Sequence, residues 1–292
     1  MPQGPPVAAA PHSLDPVDDT ELLALPRSVL LALWLEGAGP GREHVRRAAH
    51  SIQSDDEPHA VEGAEGVVTD GSTLEELLAA WSGRGTHAAA LLPVPGDVSG
   101  LPPVVADLAV DAGECVLVAA GPQSWAAVPE IVQFGSVHEV GHLVTWHVRA
   151  IPDWRLRLPG VVGTLSEAEQ ALRRALVSAT EALVGLDIAR WRPDAAASIA
   201  SLRSDADPGW ALPSGLAPRA LRVLASAIRL RAIVEVATAD DGGAINLWQA
   251  DQRSAALREV DHAARRAVAA ATADSRPHRG SADEADQRST DR

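Results

Sequence analysis

The chain lacks several residue types on which common catalytic chemistries depend. Among its 292 residues there is no lysine and no tyrosine, and there is one residue each of cysteine, phenylalanine and asparagine. Without lysine there can be no Schiff-base nucleophile, no anchor for pyridoxal phosphate and no Walker-type phosphate-binding lysine. A single cysteine permits neither an internal disulfide nor a thiolate zinc cluster. The composition therefore excludes several large enzyme classes before any motif is considered.

Basic charge is also scarce, because 39 acidic residues outnumber 25 basic ones and the formal net charge is −14. A nucleic-acid-binding protein needs clustered cations to contact phosphates, so we expect no nucleic-acid partner. The longest apolar run near the N-terminus, Val29–Leu35, is much shorter than the roughly 20 residues that span a bilayer. Residues 1–19 begin without the basic region of a signal peptide. We therefore expect a soluble cytoplasmic protein that does not associate with membranes.

Apolar residues make up 46% of the chain, and their distribution divides it into four parts. Residues 1–19 are rich in proline and residues 273–292 lack large apolar side chains, so we expect both ends to be disordered. Residues 20–160 mix short apolar runs with Gly/Pro turns, whereas residues 161–272 have helical periodicity. This pattern predicts an α+β protein, in which a small mixed α/β portion with a β-hairpin packs on a C-terminal antiparallel helical bundle.

The α/β portion alternates helical and extended patterns. Apolar residues at helical spacing predict helices over 22–36, 73–81 and 103–112, and an acidic loop over 53–72 lies between the first two. Short apolar runs bounded by turn residues predict strands over 88–94, 115–119, 130–134 and 142–151. The order of these elements predicts a βαβ-like start followed by a hairpin.

The helical portion carries recognisable start signals. Ser166 and Glu169 match the S-x-x-E capping box, which predicts that a helix starts at this point. A shorter helix is expected from Pro193, and Pro218 stands where the first residue of another helix would be. A last helix is expected over about 247–271. Together these helices predict a small antiparallel bundle.

Three short segments suggest a relationship to a known group of proteins. These segments are LPVPGD at 92–97, DIARWRP at 187–193 and DDGG at 240–243. With their Ala/Arg-rich surroundings they resemble an uncharacterised actinobacterial protein family. The resemblance covers most of residues 20–272 and implies no particular activity.

One pentapeptide matches a catalytic motif. Residues 138–142 are His-Glu-Val-Gly-His, the H-E-x-x-H pattern of zinc metallopeptidases. On a helix, four residues turn about 400°, so His138 and His142 would point the same way and could share one Zn²⁺. Glu139 would then lie beside the metal-bound water as the general base. A zinc-dependent metallopeptidase is therefore one hypothesis for this chain.

The residues around this motif favour an extended structure. Residues 137–148 are rich in β-branched types, which are poor helix formers, and they alternate in polarity with a period of two. This pattern predicts a β-hairpin whose three-residue loop is Glu139–Gly141, with Gly141 in the left-handed position. An apolar stripe at helical spacing, which includes Val140 and Val144, supports the competing helix.

The third zinc ligand is also missing from its usual position. The extended metallopeptidase pattern places a histidine ten residues after His138, where this chain has Val148. His147 falls one residue short, which turns it by about 100° on a helix. Glu167 or Glu169 on the following helix could serve instead, although Glu169 is already explained by the capping box. The metal site of this hypothesis therefore consists of His138, His142 and, as a doubtful third ligand, Glu167.

Three further features each allow a functional and a structural interpretation. Asp97 follows an expected strand, where α/β proteins place ligand contacts, but residues 95–97 also fit a simple turn. Asp240 and Asp241 could hold a divalent cation or form a solvated helix end. Trp154, followed by an arginine, could be an interface anchor or could pack a loop onto the body.

The leading functional hypothesis follows from the absence of nucleophile, cofactor and phosphate motifs. We expect a non-catalytic protein without a cofactor, which acts by binding a protein partner or by self-association. The alternative is the zinc metallopeptidase, with Zn²⁺ bound by His138, His142 and Glu167 and with Glu139 as the catalytic base.

Overall fold

A computed structural model describes most of the chain. It covers residues 23–37, 39, 41–83, 85–136, 139–185, 209–239 and 247–276. Several features expected from the sequence lie outside the described residues, namely the tail at 1–19, most of the tail at 273–292, the helix from Pro193, the pair Asp240 and Asp241, and His138.

The architecture combines helices with one mixed sheet, which confirms the α+β class. The helices are α1 (Arg27–Glu36), α2 (Arg42–Gln53), α3 (Leu74–Trp81), α4 (Ala106–Ala112, after a short 3₁₀ turn at Pro103–Val105), α5 (Leu158–Val162), α6 (Leu165–Gly185), α7 (Pro218–Ala239) and α8 (Leu247–Ala273). The strands are β1 (Ala60–Glu62), β2 (Ser72–Thr73), β3 (His87–Leu91), β4 (Cys115–Ala120), β5 (Gln123–Ser136) and β6 (Glu139–Ile151). Within the described ranges, no helix is long and apolar enough to cross a membrane.

The sheet has the strand order β2-β1-β6-β5-β4-β3. Only β1 and β6 run parallel, and the other neighbours are antiparallel. The expected βαβ-like start is therefore wrong, because β3 and β4 are adjacent antiparallel strands. The expected loop over 53–72 is also wrong, since it contains β1 and the beginning of β2. Buried apolar strands have the same local pattern in either direction, so the pattern could not distinguish these arrangements.

The longest feature of the sheet is the hairpin of β5 and β6, whose pairing runs from Ser124↔Ile151 to Ser136↔Glu139. The hairpin prediction is confirmed, but the loop predicted at Glu139–Gly141 is wrong because these residues belong to β6. The left-handed glycine is Gly135, with φ +96°. Gly141 serves close packing instead, because a Cβ there would lie 2.5 Å from Phe134 Cζ.

Helix α1 lies at the centre of the molecule. It was expected to start at Leu22 but begins after Pro26, because a residue that precedes proline is pushed out of the helical region. Apolar side chains are buried around its whole circumference, as expected for a helix enclosed by other elements. It packs against β3, β4 and α8, so the sheet and the helical portion share one core.

Two capping boxes set the starts of α3 and α6. At α3, the Glu76 N–H donates to Thr73 Oγ1 and the Thr73 N–H donates to Glu76 Oε2. At α6, Thr164 and Glu167 form the same reciprocal pair. The capping box predicted at Ser166 and Glu169 is therefore wrong by two residues, because Thr164 and Glu167 offer the same chemistry two residues earlier.

The helical portion is built around α8, which packs against both α6 and α7. Helix α7 starts at Pro218 as expected, since the missing N–H of proline costs nothing at a first helical position. The last helix agrees closely with the expected 247–271. The carboxyl end of α8 also reaches the sheet, because Thr272 Oγ1 accepts the Ala90 N–H at 2.9 Å. Beyond the end of α8, Arg276 Nε lies 2.9 Å from Glu36 Oε2 on α1.

Candidate functional site

The H-E-x-x-H motif lies at the start of β6. Glu139 and His142 are strand residues, and His138 lies outside the described residues. In a strand, positions three apart face opposite sides and are about 10 Å apart, so Glu139 is not beside His142 as a helical zinc site requires. In the part of the chain that the structure describes, no three His, Cys, Asp or Glu side chains group into a metal site.

The doubtful zinc ligands have other partners. The Glu167 carboxylate accepts the backbone N–H of Thr164 at 2.8 Å and caps α6. His147 lies on the opposite face of β6 from His142, and its Nε2 is 2.8 Å from Glu130 Oε2. The structure therefore does not bring His142 together with either of them.

His142 instead belongs to a buried polar cluster centred on Asp56, which we call the Asp56 cluster. The Asp56 side chain is 6% exposed. Arg27 donates to both of its oxygens, from Nε at 2.7 Å and from Nη2 at 2.8 Å. His59 Nε2 is 3.1 Å from Asp56 Oδ2, and His142 Nδ1 is 3.2 Å from Asp56 Oδ1. One carboxylate thus connects α1, the segment after α2, and β6.

The protonation state of His59 follows from its neighbours. Trp146 Nε1–H can only donate, and it lies 3.1 Å from His59 Nδ1. His59 Nδ1 is therefore an acceptor, and the ring proton is on Nε2, where it points at Asp56. Burial lowers the pKa of His59, which agrees with a neutral ring. The Asp56 carboxylate is paired with the guanidinium of Arg27.

A carboxylate that orients an imidazole can create a general base. Here, however, the Asp56 charge is already neutralised by a bidentate guanidinium, which favours a structural role. The backbone supports this interpretation, because the Glu57 N–H donates to the His142 carbonyl oxygen at 3.1 Å. The preceding Ser54 has φ +48°, an uncommon value for a residue other than glycine, so the chain bends sharply before Asp56. The cluster fixes the outer part of the β5–β6 hairpin, close to its tip.

Two of the strand edges in the sheet are covered. On β3, the outward N–H of Ala88 donates to Glu36 Oε1 at 2.6 Å, and that of Ala90 donates to Thr272 Oγ1 at 2.9 Å. The outer edge of β6 is covered by β1 and by the Glu57 bond to the His142 carbonyl. Uncovered edges attract foreign strands, so this protection limits unwanted pairing.

A third edge is open. Strand β4 pairs with β5 only as far as Ala127, whereas β5 continues from Pro129 to Ser136. Proline has no N–H, so Pro129 is compatible with a position that faces away from β6. The alternation of an antiparallel strand then directs the N–H groups of Ile131, Gln133 and Gly135 to the open side. Strand β4 does not reach these three groups, and among the described residues no backbone acceptor outside the sheet contacts them.

The same part of the hairpin exposes apolar side chains. We call residues 129–136 and 139–145 the β-arm, since they extend beyond β4. Val132 (51% exposed), Leu143 (49%) and Phe134 (43%) lie on one face of it. Val132 and Leu143 are directly paired, and Phe134 is paired with Gly141. These three side chains form a continuous apolar patch.

Asp97 and Trp154 have structural roles. Residues 94–97 form a turn closed by the Val94–Asp97 bridge. The Asp97 carboxylate is bound by His262 at 2.7 Å and Arg265 at 2.8 Å, which ties the turn to α8. Burial opposes its ionisation, but hydrogen bonds from Ser99, His262 and Arg265 hold the pKa of Asp97 below its ordinary value. Trp154 is only 8% exposed and packs a loop onto the body, so it is not an exposed anchor.

The sequence analysis predicted neither the Asp56 cluster nor the open edge of β5. Asp56 and His59 lie in the segment expected to be a loop, and their D-x-x-H spacing was the only local signal. The open edge depends on where β4 stops pairing, which no local pattern indicates.

Comparison with known proteins shows that Asp56 and the open edge of β5 both lie in a region that matches one family model. The family model for the N-terminal domain of Rv1486c-like proteins matches residues 28–158, and the model for their C-terminal domain matches residues 166–269. Neither description names an activity. No curated protein and no solved structure matches the chain. Because the two domain models together cover most of its length in the order N-terminal then C-terminal, the chain belongs to the family of Rv1486c-like proteins.

Proposed function

We propose that this protein is non-catalytic and acts by binding a protein through the β-arm. The observation that carries the proposal is the patch of Val132, Phe134 and Leu143, which is exposed on one face of the β-arm. A contiguous exposed apolar patch commonly marks an interaction site. A partner that covers this face removes its apolar area from water, which stabilises the complex.

The composition of the β-arm fits a protein interface. An aromatic and aliphatic centre is bordered by the carboxylates of Glu130 and Glu139, and residues 129–146 contain no arginine. Interfaces typically have an apolar core that is depleted of charge and surrounded by a polar rim. The charged groups of the β-arm lie at the ends of the patch, where water can still solvate them.

The Asp56 cluster supports the proposal because it holds the β6 strand of the β-arm in place at His142. His142 is fixed through both its side chain and its carbonyl oxygen. A binding element that is rigid before it meets its partner loses less conformational entropy on association. Direct binding through the β-arm therefore needs no folding step.

The zinc alternative has no support from the described residues, in which the motif is extended. It stays a prediction from the motif at 138–142. The cytoplasmic location expected from the sequence stays part of the proposal.

Photo-crosslinking in cells tests this proposal. A photoreactive amino acid at Leu143 should yield a discrete protein adduct, because this side chain lies inside the patch. The matched control is the same amino acid at Val104, an exposed valine in the 3₁₀ turn before α4. We expect no discrete adduct from the control position.

A second variant shows whether the patch itself causes the adduct. Val132→Glu should remove the Leu143 adduct, because a charge in an apolar interface must be desolvated without a partner. Val132 is half exposed, so the substitution should change the free energy of unfolding by less than about 1 kcal/mol. Equal adducts from Leu143 and Val104, or an adduct that survives Val132→Glu, would contradict the proposal.

A further inference from the structure

We infer that the β-arm binds a second copy of this chain, with residues 129–136 of the two β5 strands paired antiparallel. This inference rests on the proposed function and identifies the partner. It starts from the open edge of β5, where β4 does not reach the N–H groups of Ile131, Gln133 and Gly135 and where, among the described residues, they have no backbone acceptor outside the sheet. An added strand supplies those acceptors.

The length of the open edge of β5 matches the length of the same segment from a second copy, paired antiparallel to it. Strand β4 occupies the edge up to Ala127, so an added strand has room only from Pro129 to the end of β5 at Ser136. When two copies pair antiparallel over this segment, the β4 strand of each lies beyond the tip of the other. Both open edges are then used along their whole length without a collision between the two bodies.

One register makes the pairing self-complementary. With a twofold axis at Gln133, each Gln133 faces its copy and Ile131 faces Gly135 of the second copy. Val132 then faces Phe134 of the second copy, and the symmetric pair forms on the other side of the axis. Cross-strand pairs of an aromatic and a β-branched residue are favourable in antiparallel sheets. The two apolar patches therefore join into one.

The positions of the Glu130 carboxylates are also compatible with this register. Glu130 faces Ser136 of the second copy, so no carboxylate is opposite another. The two Glu130 residues are six positions apart along the paired strands, which is about 20 Å. That distance exceeds the Debye length of roughly 8 Å at physiological ionic strength, so their repulsion is largely screened.

The expected product is a four-stranded ribbon made of two β-arms. The added strand and the shared apolar face should stabilise the β-arms of both copies. The interface is confined to one strand and its neighbours, which places it at the lower end of interface sizes, below about 1,200 Å². The dimer should therefore be weak and dependent on concentration.

Disulfide trapping of the purified full chain tests the register. In Gln133→Cys, two thiols on the twofold axis would have Cα atoms about 5.5 Å apart, within the range that a disulfide spans. The native Cys115 is fully buried, and burial raises the pKa of its thiol, so it does not compete. The matched control is Gln123→Cys, an exposed position at the other end of the same strand. We expect covalent dimer from Gln133→Cys to form at least about tenfold faster than from Gln123→Cys.

Sedimentation of the chain without added cysteines supplies an independent measurement. The mass should rise with concentration towards that of a dimer, and Val132→Glu should keep it at that of a monomer. Equal disulfide rates at the two positions, or a chain that stays monomeric up to about 100 µM, would overturn this inference. If the Leu143 crosslink in cells then captures a different protein, the proposed function survives and only the identity of the partner is wrong. If neither copy nor foreign protein is captured, both proposals fail.

Discussion

Asp56→Ala is expected to lower the free energy of unfolding by about 3 kcal/mol. The substitution leaves the Arg27 guanidinium without its bidentate partner and removes the acceptor of His59 Nε2–H. Arg27 is only partly buried, but the penalty for its unpaired charge, together with the lost acceptor of the buried His59, exceeds the loss of an ordinary surface ion pair. Urea-induced unfolding, followed by tryptophan fluorescence, measures the change.

Asp55→Ala is the matched control for this prediction. Asp55 is the exposed neighbour of Asp56, so its removal should change the free energy of unfolding by less than about 0.5 kcal/mol. Asp56→Asn should give an intermediate loss, because an amide oxygen can still accept one hydrogen bond but carries no charge. If Asp56→Ala and Asp55→Ala behave alike, the Asp56 cluster does not stabilise the folded protein.

Stability should also decrease as the pH rises from about 4.5 to about 7, because of Glu36. Burial raises the pKa of Glu36 from its ordinary 4.5 to about 7, although the Ala88 N–H and Arg276 act in the opposite direction. Between these values the folded protein keeps a proton that the unfolded chain has lost. The associated stability is present in full below pH 4.5 and is lost as the pH passes 7. A shift of this size corresponds to about 3 kcal/mol.

Glu36→Gln isolates this contribution. The amide keeps an oxygen for the Ala88 N–H but cannot ionise, so the variant should gain stability relative to the wild type as the pH rises from 5 to 8 (on the order of 3 kcal/mol). Glu114 is also buried with a raised pKa, so only the difference between wild type and variant is diagnostic. Glu43→Gln, at an exposed position on α2, serves as the control. Parallel pH profiles for wild type and Glu36→Gln would show that Glu36 has an ordinary pKa in the folded protein.

The elements that sequence reasoning predicted well are those governed by local physics. Helix α3 follows from leucines at helical spacing and from the Thr73–Glu76 capping box, all within ten residues. The hairpin follows from alternation along 142–151, because side chains of a strand face opposite sides in turn. The loop of the hairpin was predicted at the wrong place, because a glycine such as Gly141 fits either a turn or a close contact. Only the ring of Phe134, on the paired strand β5, shows that Gly141 makes a close contact.

The features of the candidate site were less accessible from sequence. The motif at 138–142 suggested that His142 should be grouped with its neighbours in the chain. The structure groups it with Asp56, which is far away in sequence. Likewise, Glu36 was predicted only as the last residue of a helix over 22–36, yet its carboxylate accepts the Ala88 N–H at the edge of β3. Such partners depend on how distant segments pack, and periodicity does not encode that.

The amino-acid sequence alone determined the class of the fold, the main helices and the extended form of the β5–β6 hairpin. These depend on periodicity, capping residues and β-branching, which act over a few neighbouring residues. The tertiary structure decided the strand order, the partners of the buried charges and the edge of β5 that remains open. Those outcomes depend on which distant surfaces exclude water together, and only the folded arrangement of the whole chain specifies them.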